Sequence, residues 1–171
     1  IHSCAATADL YIAANLYPTL NETDRKREIW SMDFTEEKIE GQKIFTCGII
    51  SVNSKRLVGF TVNCRNNMAA ACFTLKNAID RFGAPYMILT DRGSPFSGAD
   101  FHELLKTNHV IHSMSRPYTP IDNRYIETFW KSMKTELGKV SRLTPEQYKM
   151  VLEFYEYYYN YERPHSSIGY R

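Results

Sequence analysis

The sequence predicts an α/β domain: a mixed five-stranded sheet, its first three strands antiparallel, with helices on its faces. Three observations carry this. Three apolar, strand-like segments come first, between residues 29 and 62. Helix-like and strand-like segments then alternate to the end of the chain. Hydrophobic residues make up 43% of 171 residues, enough for one core without disulfide or metal staples.

The elements follow in order. Residues 1–27 read as a linker or the remnant of an upstream domain. They hold an Ala-rich stretch able to form a short helix (Ala5, Ala6, Ala8, Ala13, Ala14) and a polar linker run from Asn21 to Arg27. The main folded unit is residues 28–171. From Ile29 to Phe34, Trp30, Met32 and Phe34 alternate with Ile29, Ser31 and Asp33, the period of a strand. Lys43 to Val52 and Arg56 to Val62 are further apolar runs, joined by a plausible hairpin turn at Asn53-Ser54-Lys55. From Asn66 to Phe82, the apolar residues Ala71, Cys72, Leu75, Ala78, Ile79 and Phe82 recur on one helical face. Gly83 then stands at the C-terminal cap, with Pro85 beyond it. Tyr86 to Thr90 is a short buried strand ending at the turn Asp91-Arg92-Gly93. Ser97-x-x-Asp100 predicts the cap of a helix over 98–107, with Phe101, Leu104 and Leu105 inward. Val110 and Ile111 open a fifth strand, and a loop with two prolines leads to a helix over 121–137. Thr144-Pro145-Glu146-Gln147 is a capping box for a last, aromatic-rich helix reaching about Tyr161.

Composition narrows the function classes. The net charge is +2, and no block of like charges forms a nucleic-acid-binding tail. The charge is uneven, however: residues 116–142 hold six basic against three acidic side chains. No apolar run approaches a membrane span, and no signal-peptide pattern opens the chain. The start at Ile1 is read as that of a fragment. The four cysteines lack CxxC spacing, so structural zinc is not expected; Cys47, Cys64 and Cys72 read as small core residues of a reducing, cytoplasmic compartment.

Three carboxylates stand where sites form. Asp33 and Asp91 lie at strand ends, and Glu127 lies on the helix after the double-proline loop, with 35 residues between it and Asp91. At 100° per residue, Asn123, Glu127, Lys131 and Lys134 share one helical quadrant. Ile126, Phe129, Trp130, Met133 and Leu137 form the buried side. A carboxylate beside two ammonium groups suits a cation-bound phosphate, although acidic residues at strand ends are often merely solvated. The histidines His102, His109 and His112 do not read as a metal site. For the tyrosines of the last helix, packing is favoured over base stacking.

Five segments in this order resemble a known family. They are Trp30-x-x-Asp33-Phe34-Thr35; Thr90-Asp91-Arg92-Gly93-Ser94; Ser113 to Arg116; Asp122-Asn123 through Ile126-Glu127 to Lys134; and Tyr161-Glu162-Arg163-Pro164-His165 to Tyr170. The resemblance is to the integrase-type catalytic core of bacterial insertion-sequence transposases, relatives of retroviral integrases, and covers residues 28–171. It implies a ribonuclease-H-like fold and a triad of Asp33, Asp91 and Glu127 that binds two Mg²⁺ (or Mn²⁺). It implies metal-dependent cleavage of DNA 3′ ends and strand transfer into target DNA by a homo-oligomer assembled on transposon ends. A nuclease that only hydrolyses, or a non-catalytic DNA-binding module, is the alternative.

Lys134 matches the family's basic residue on the helix, and Arg163 and His165 its closing motif. Lys131, Arg92, Arg116, Arg124 and Asn123 are further candidates for DNA contact. For Lys131 a solvated role weighs equally, Arg92 alternatively satisfies its own turn, and His165 alternatively makes a structural hydrogen bond. Thr119-Pro120 and Pro95 depart from the family pattern in loops.

Overall fold

A computed structural model describes residues 13–63, 65–116, 119 and 123–164. After a one-turn helix, α1 (Glu22–Arg25), strands β1 (Ile29–Ile39), β2 (Gln42–Ser51) and β3 (Leu57–Asn63) form an antiparallel meander. Helix α2 (Met68–Phe82), strand β4 (Met87–Thr90), helix α3 (Ala99–Thr107) and strand β5 (Ile111–Met114) follow. Helices α4 (Arg124–Leu137) and α5 (Pro145–Tyr157) complete the fold, α5 running into a π-helical turn at Tyr158–Glu162.

The sheet order is β3-β2-β1-β4-β5, with β4 parallel to β1 and β5 parallel to β4. Parallel neighbours require crossovers, and α2 and α3 supply them. The meander, the mixed sheet and the strand count agree with the sequence reading.

The alternation in β1 divides the core into two layers. Trp30 and Met32, with Cys47 and Ile49 of β2, pack on Ala71, Leu75 and Ala78 of α2 and Phe101 and Leu105 of α3. On the opposite face Ile39, Ile44 and Ile50 meet Ile126, Phe129, Trp130 and Met133 of α4 and Tyr148, Leu152 and Tyr155 of α5. Burying this apolar surface on both faces is the main force holding the helices to the sheet.

The local signals mostly hold. Gly83 caps α2 at φ +82°, where its N–H donates to the Ile79 carbonyl. Thr144 and Gln147 close both hydrogen bonds of the capping box on α5.

Three expectations are corrected. Ser97 does not cap α3: Gly98 occupies the N-cap, and Ser97 Oγ instead donates to the Gly93 carbonyl at 3.2 Å. The polar run holds the one-turn α1, which Asn21 caps by accepting the Asp24 N–H. Ala13 and Ala14 are not helical, while Ala5, Ala6 and Ala8 lie outside the described residues. The first strand runs five residues past Phe34, to Ile39. Cys64 also lies outside the described residues, whereas Cys47 is buried as expected and Cys72 partly so.

The segment before α1 is folded against the core. The Met114 N–H donates to the Ala14 carbonyl at 3.3 Å, and the Leu16 and Tyr17 N–H groups donate to Ser113 Oγ at 2.9 and 3.0 Å. These bonds cover part of the outer edge of β5. No helix among the described residues is long and apolar enough to cross a membrane.

Candidate active site

The parallel pairing of β1 with β4 sets two of the carboxylates. Ile29 pairs with Met87, Trp30 with Ile88 and Ser31 with Leu89. Two residues further along the same register, Asp33 falls opposite Asp91, just beyond the end of β4. Two residues also restore the same face of a strand, so both side chains share the face of Ser31 and Leu89.

That face carries α4. Ser31 Oγ donates to Asn123 Oδ1 at 2.7 Å in a fully buried bond, fixing the first turn of the helix over β1. Farther along, Lys134 Nζ donates to the Glu36 carbonyl at 3.0 Å and pairs with Glu37 at 3.2 Å. With two ties in the same order, α4 runs along β1 in the same direction. From the first tie, four helical residues advance ~6 Å to Glu127, and two strand residues advance ~6.6 Å to Asp33. Glu127 is thereby brought level with Asp33.

The charges register this gathering. The Asp33 carboxyl is pushed up to about 7 by burial first, and then by the negative charges of Asp91 and Glu127. The Phe34 N–H and the nearby Trp130 indole favour its ionised form and offset part of the rise. The indole nitrogen completes no hydrogen bond of good geometry, although it is buried. Trp130 is wedged there because Gly48, the residue paired with Asp33 across β1 and β2, has no side chain. A Cβ at Gly48 would collide with Trp130 Cη2 and stand 2.8 Å from Cζ2. Asp91 is held differently: the Gly93 N–H donates to its Oδ1 at 2.7 Å. Behind it, Thr90 Oγ1 donates to the Asp91 carbonyl at 2.8 Å and lies 2.9 Å from His112 Nε2. His112 is buried and pushed down to about 4 by desolvation first and His102 second, so its ring is neutral.

Among the described residues, no three His, Cys, Asp or Glu side chains converge closely enough to hold an ion as they stand. The donor set is nevertheless all carboxylate oxygen, the chemistry of a hard divalent cation. The mutual repulsion felt at Asp33 is what a cation would relieve.

The remaining predicted residues divide by environment. Lys131 is exposed on α4, near Glu127. Arg124 is exposed, its Nη2 donating to the Tyr125 hydroxyl at 3.3 Å. Arg116 is exposed after β5. Asn123 is the exception to the expected helix face: it is buried, 4% exposed, and its oxygen is engaged by Ser31, so it anchors the helix instead of facing a strand of DNA. Lys134 is half tied down by Glu36 and Glu37. Arg92 clamps the turn after β4, its Nε donating to the Ser115 carbonyl at 2.8 Å. Arg163 Nε donates to Glu136 Oε1 at 2.8 Å, while the Tyr155 hydroxyl donates to the other carboxylate oxygen at 2.9 Å. Arg163 thus fastens the chain after α5 to α4. His165 and Asp122 lie outside the described residues.

Of the tyrosines, Tyr155 and Tyr159 are buried against Phe129, as packing predicts; Tyr157, Tyr158 and Tyr161 are exposed. Sequence reasoning missed the roles of Ser31, Gly48, Gly93 and the Thr90–His112 pair. Thr90 and Gly93 stood in the segment around Asp91 and Ser31 shared the strand period of Asp33, but Gly48 left no trace.

Residues 23–120 match the family model described as an integrase core domain, and residues 108–171 match a second model of the same description. The chain is 25% identical over 161 residues to the transposase for insertion sequence element IS904 of Lactococcus lactis subsp. lactis, covering 92% of this chain and 64% of that protein. It is 27% identical over 144 residues to transposase InsF for insertion sequence IS3fB of Escherichia coli K12, covering 82% of this chain and half of the relative. The chain therefore spans only part of these relatives. The fold is similar to the HTLV-2 integrase catalytic core domain solved in complex with magnesium, at TM-score 0.61 and 18% identity, over 84% of this chain and 91% of that one. With this mixed five-stranded sheet and more than half the chain matched by one model, the protein belongs to the integrase core domain family.

Proposed function

We propose that this chain is the catalytic core of an insertion-sequence transposase, cutting DNA at transposon ends and joining the freed 3′ ends to target DNA. One observation supports it: strand register and the Ser31–Asn123 tie carry Asp33, Asp91 and Glu127, from three separate elements, toward one face of the sheet, where the charges of Asp91 and Glu127 add to burial in pushing the Asp33 carboxyl up to about 7. Two Mg²⁺ or Mn²⁺ ions held by these carboxylates would supply the Lewis acidity for in-line displacement at phosphorus.

The chain's own residues do the rest. Gly93 and Ser31–Asn123 hold Asp91 and Glu127 in place. Lys131, Arg116 and Arg124 offer charge to the DNA backbone, and Lys134 does so to the extent that Glu37 releases it. In the first step a water oxygen bonds to phosphorus and the 3′ oxygen leaves as a hydroxyl. In the second, that hydroxyl bonds to a target phosphorus and a target 3′ oxygen leaves. Only the nucleophile changes, so one site serves both. Two ends must be handled together, which calls for a homo-oligomer on DNA, acting in the cytoplasm at the chromosome.

A strand-transfer assay with terminal-repeat DNA and divalent cations tests this. Joined product that disappears in Asp91→Asn supports the transposase. Cut product without joining indicates a nuclease. DNA binding with neither product indicates a non-catalytic module. Activity unchanged in Asp91→Asn refutes the carboxylate assignment.

A further inference from the structure

At the opening ends of β1 and β4, packed with Ile29 and Met87, lies a second cluster whose chemistry the carboxylates do not use. Tyr17, from the segment before α1, and Tyr125, from the first turn of α4, meet edge to face, with centroids 5.9 Å apart at 86° and hydroxyls 2.8 Å apart. Three cations rest on these two rings. Arg25 lies 5.2 Å from the Tyr17 centroid, Lys55 4.7 Å and Arg124 5.1 Å from that of Tyr125. Among the described residues none of the three is paired with a carboxylate.

Their hydrogen bonds go to neutral groups. Arg25 donates to the Leu20 and Pro18 carbonyls at 3.0 Å each, Lys55 to the Val52 carbonyl, and Arg124 to the Tyr125 hydroxyl. Each cation is therefore positioned, without a carboxylate partner among the described residues.

The hydroxyl pair is polarised the same way. Tyr17 is pushed up to about 12 by burial and by its bond to Tyr125. Tyr125 is lowered despite its burial, because Tyr17 and Arg124 bond to it and Arg124 and Lys55 add positive charge. Either hydroxyl can donate across the pair, and the Tyr125 oxygen also accepts from Arg124 Nη2. A site with three positioned cations and no carboxylate partner for them among the described residues suits an anion.

Position points to the anion. Arg124 and Glu127 stand three residues apart on α4, neighbours ~5–6 Å apart at Cβ. Arg124 thus links the cluster to the carboxylate helix, while the rest of it lies toward the opening ends of β1 and β4. We propose that Tyr17, Arg25, Lys55, Arg124 and Tyr125 form a phosphate-binding site for the DNA backbone, gripping phosphodiesters farther along the DNA than the reacting one. The inference rests on the DNA-processing function proposed above. It also accounts for the docking of the segment before α1. Tyr17 and Arg25 come from that segment and α1, so two of the five residues are supplied from before the first strand.

Binding of the chain to a duplex oligonucleotide, in chelator and without divalent ions, reads this apart from catalysis. Each phosphate contact contributes about −0.9 to the slope of log K against log [salt] for duplex DNA. Arg25→Gln with Lys55→Gln is expected to make that slope shallower by about 1.8 relative to wild type. Arg25→Lys with Lys55→Arg, which keeps both charges but replaces their native hydrogen-bonding heads, is expected to restore it. An unchanged slope in the Gln pair, with wild type binding normally, overturns the site alone. A charge-preserving pair as shallow as the Gln pair overturns it too, by showing that the residues act through folding. Failure of wild type to bind duplex DNA overturns both the site and the proposed function.

Discussion

Ser31 and Asn123 are 92 residues apart in sequence and joined by a buried 2.7 Å hydrogen bond. The bond is where α4 is set on β1. Asp33 stands two residues beyond one partner and Glu127 four residues beyond the other. The strand and helix repeats then carry the two carboxylates nearly the same distance along the sheet.

Ser31→Ala leaves the Asn123 oxygen buried without its donor. The expected cost is about 1–3 kcal/mol of stability, read as a lower midpoint in thermal or urea unfolding. Cleavage should fall by roughly 10-fold or more at temperatures where the variant is fully folded, because Glu127 loses its placement. Wild-type cleavage in a measurably destabilised Ser31→Ala would show that this tie does not position the site.

Asp33 predicts a pH dependence. Its folded value, about 7, lies above the ordinary value of 3.8, so the folded state binds the proton more tightly than the unfolded state. Its stabilising contribution is complete below pH ~4 and is lost as pH rises through ~7. Asp33→Asn removes that loss and should melt higher than wild type at pH 8, by an amount on the order of 2 kcal/mol or ~4–8 °C, with the gap closing toward pH 4. Mg²⁺ should raise the wild-type midpoint at pH 8 and leave Asp33→Asn little changed. Equal melting of the two proteins across this range would contradict the crowding of charge at Asp33.

Two glycines separate stability from activity. A Cβ at Gly48 meets the Trp130 ring, which is packed in the core, so Gly48→Ala should destabilise by about 1–3 kcal/mol. A Cβ at Gly93 would stand 2.8 Å from Asp91 Oδ1, at a φ of −60° that any residue adopts. Gly93→Ala should therefore unfold close to wild type yet lose on the order of 100-fold in cleavage as Asp91 is displaced. The paired measurement is a melting curve and a cleavage rate for each variant.

Lys131 and Lys134 share a face of α4 but not a fate. Lys131→Gln should make the salt slope of duplex binding shallower by about 0.9 without moving the melting midpoint. Lys134→Gln gives up the Glu36 and Glu37 contacts, so it should lower stability by less than about 1 kcal/mol and shift the slope less than Lys131→Gln does. Identical binding defects would mean that Lys134 leaves Glu37 for DNA.

Much of this was legible in the chain itself. Alternation around Trp30 and Met32, the spacing along α2, the Gly83 stop and the Thr144 capping box are local signals, and local signals fix local structure. The order of the elements then selects a mixed sheet, and the positions of Asp33, Asp91 and Glu127 mark the candidate site. What the sequence could not state is pairing between distant residues. No spacing shows that Gly48 sits opposite Asp33 and admits Trp130, or that Asn123 turns inward to Ser31 while its helical neighbour Glu127 stays out. Nor does a period reveal that Lys134 is held by Glu37, or that Tyr17 reaches Tyr125. Periodicity describes which side of an element a residue lies on. Which partner it meets depends on strand register and helix placement, and those are decided by packing the whole core at once.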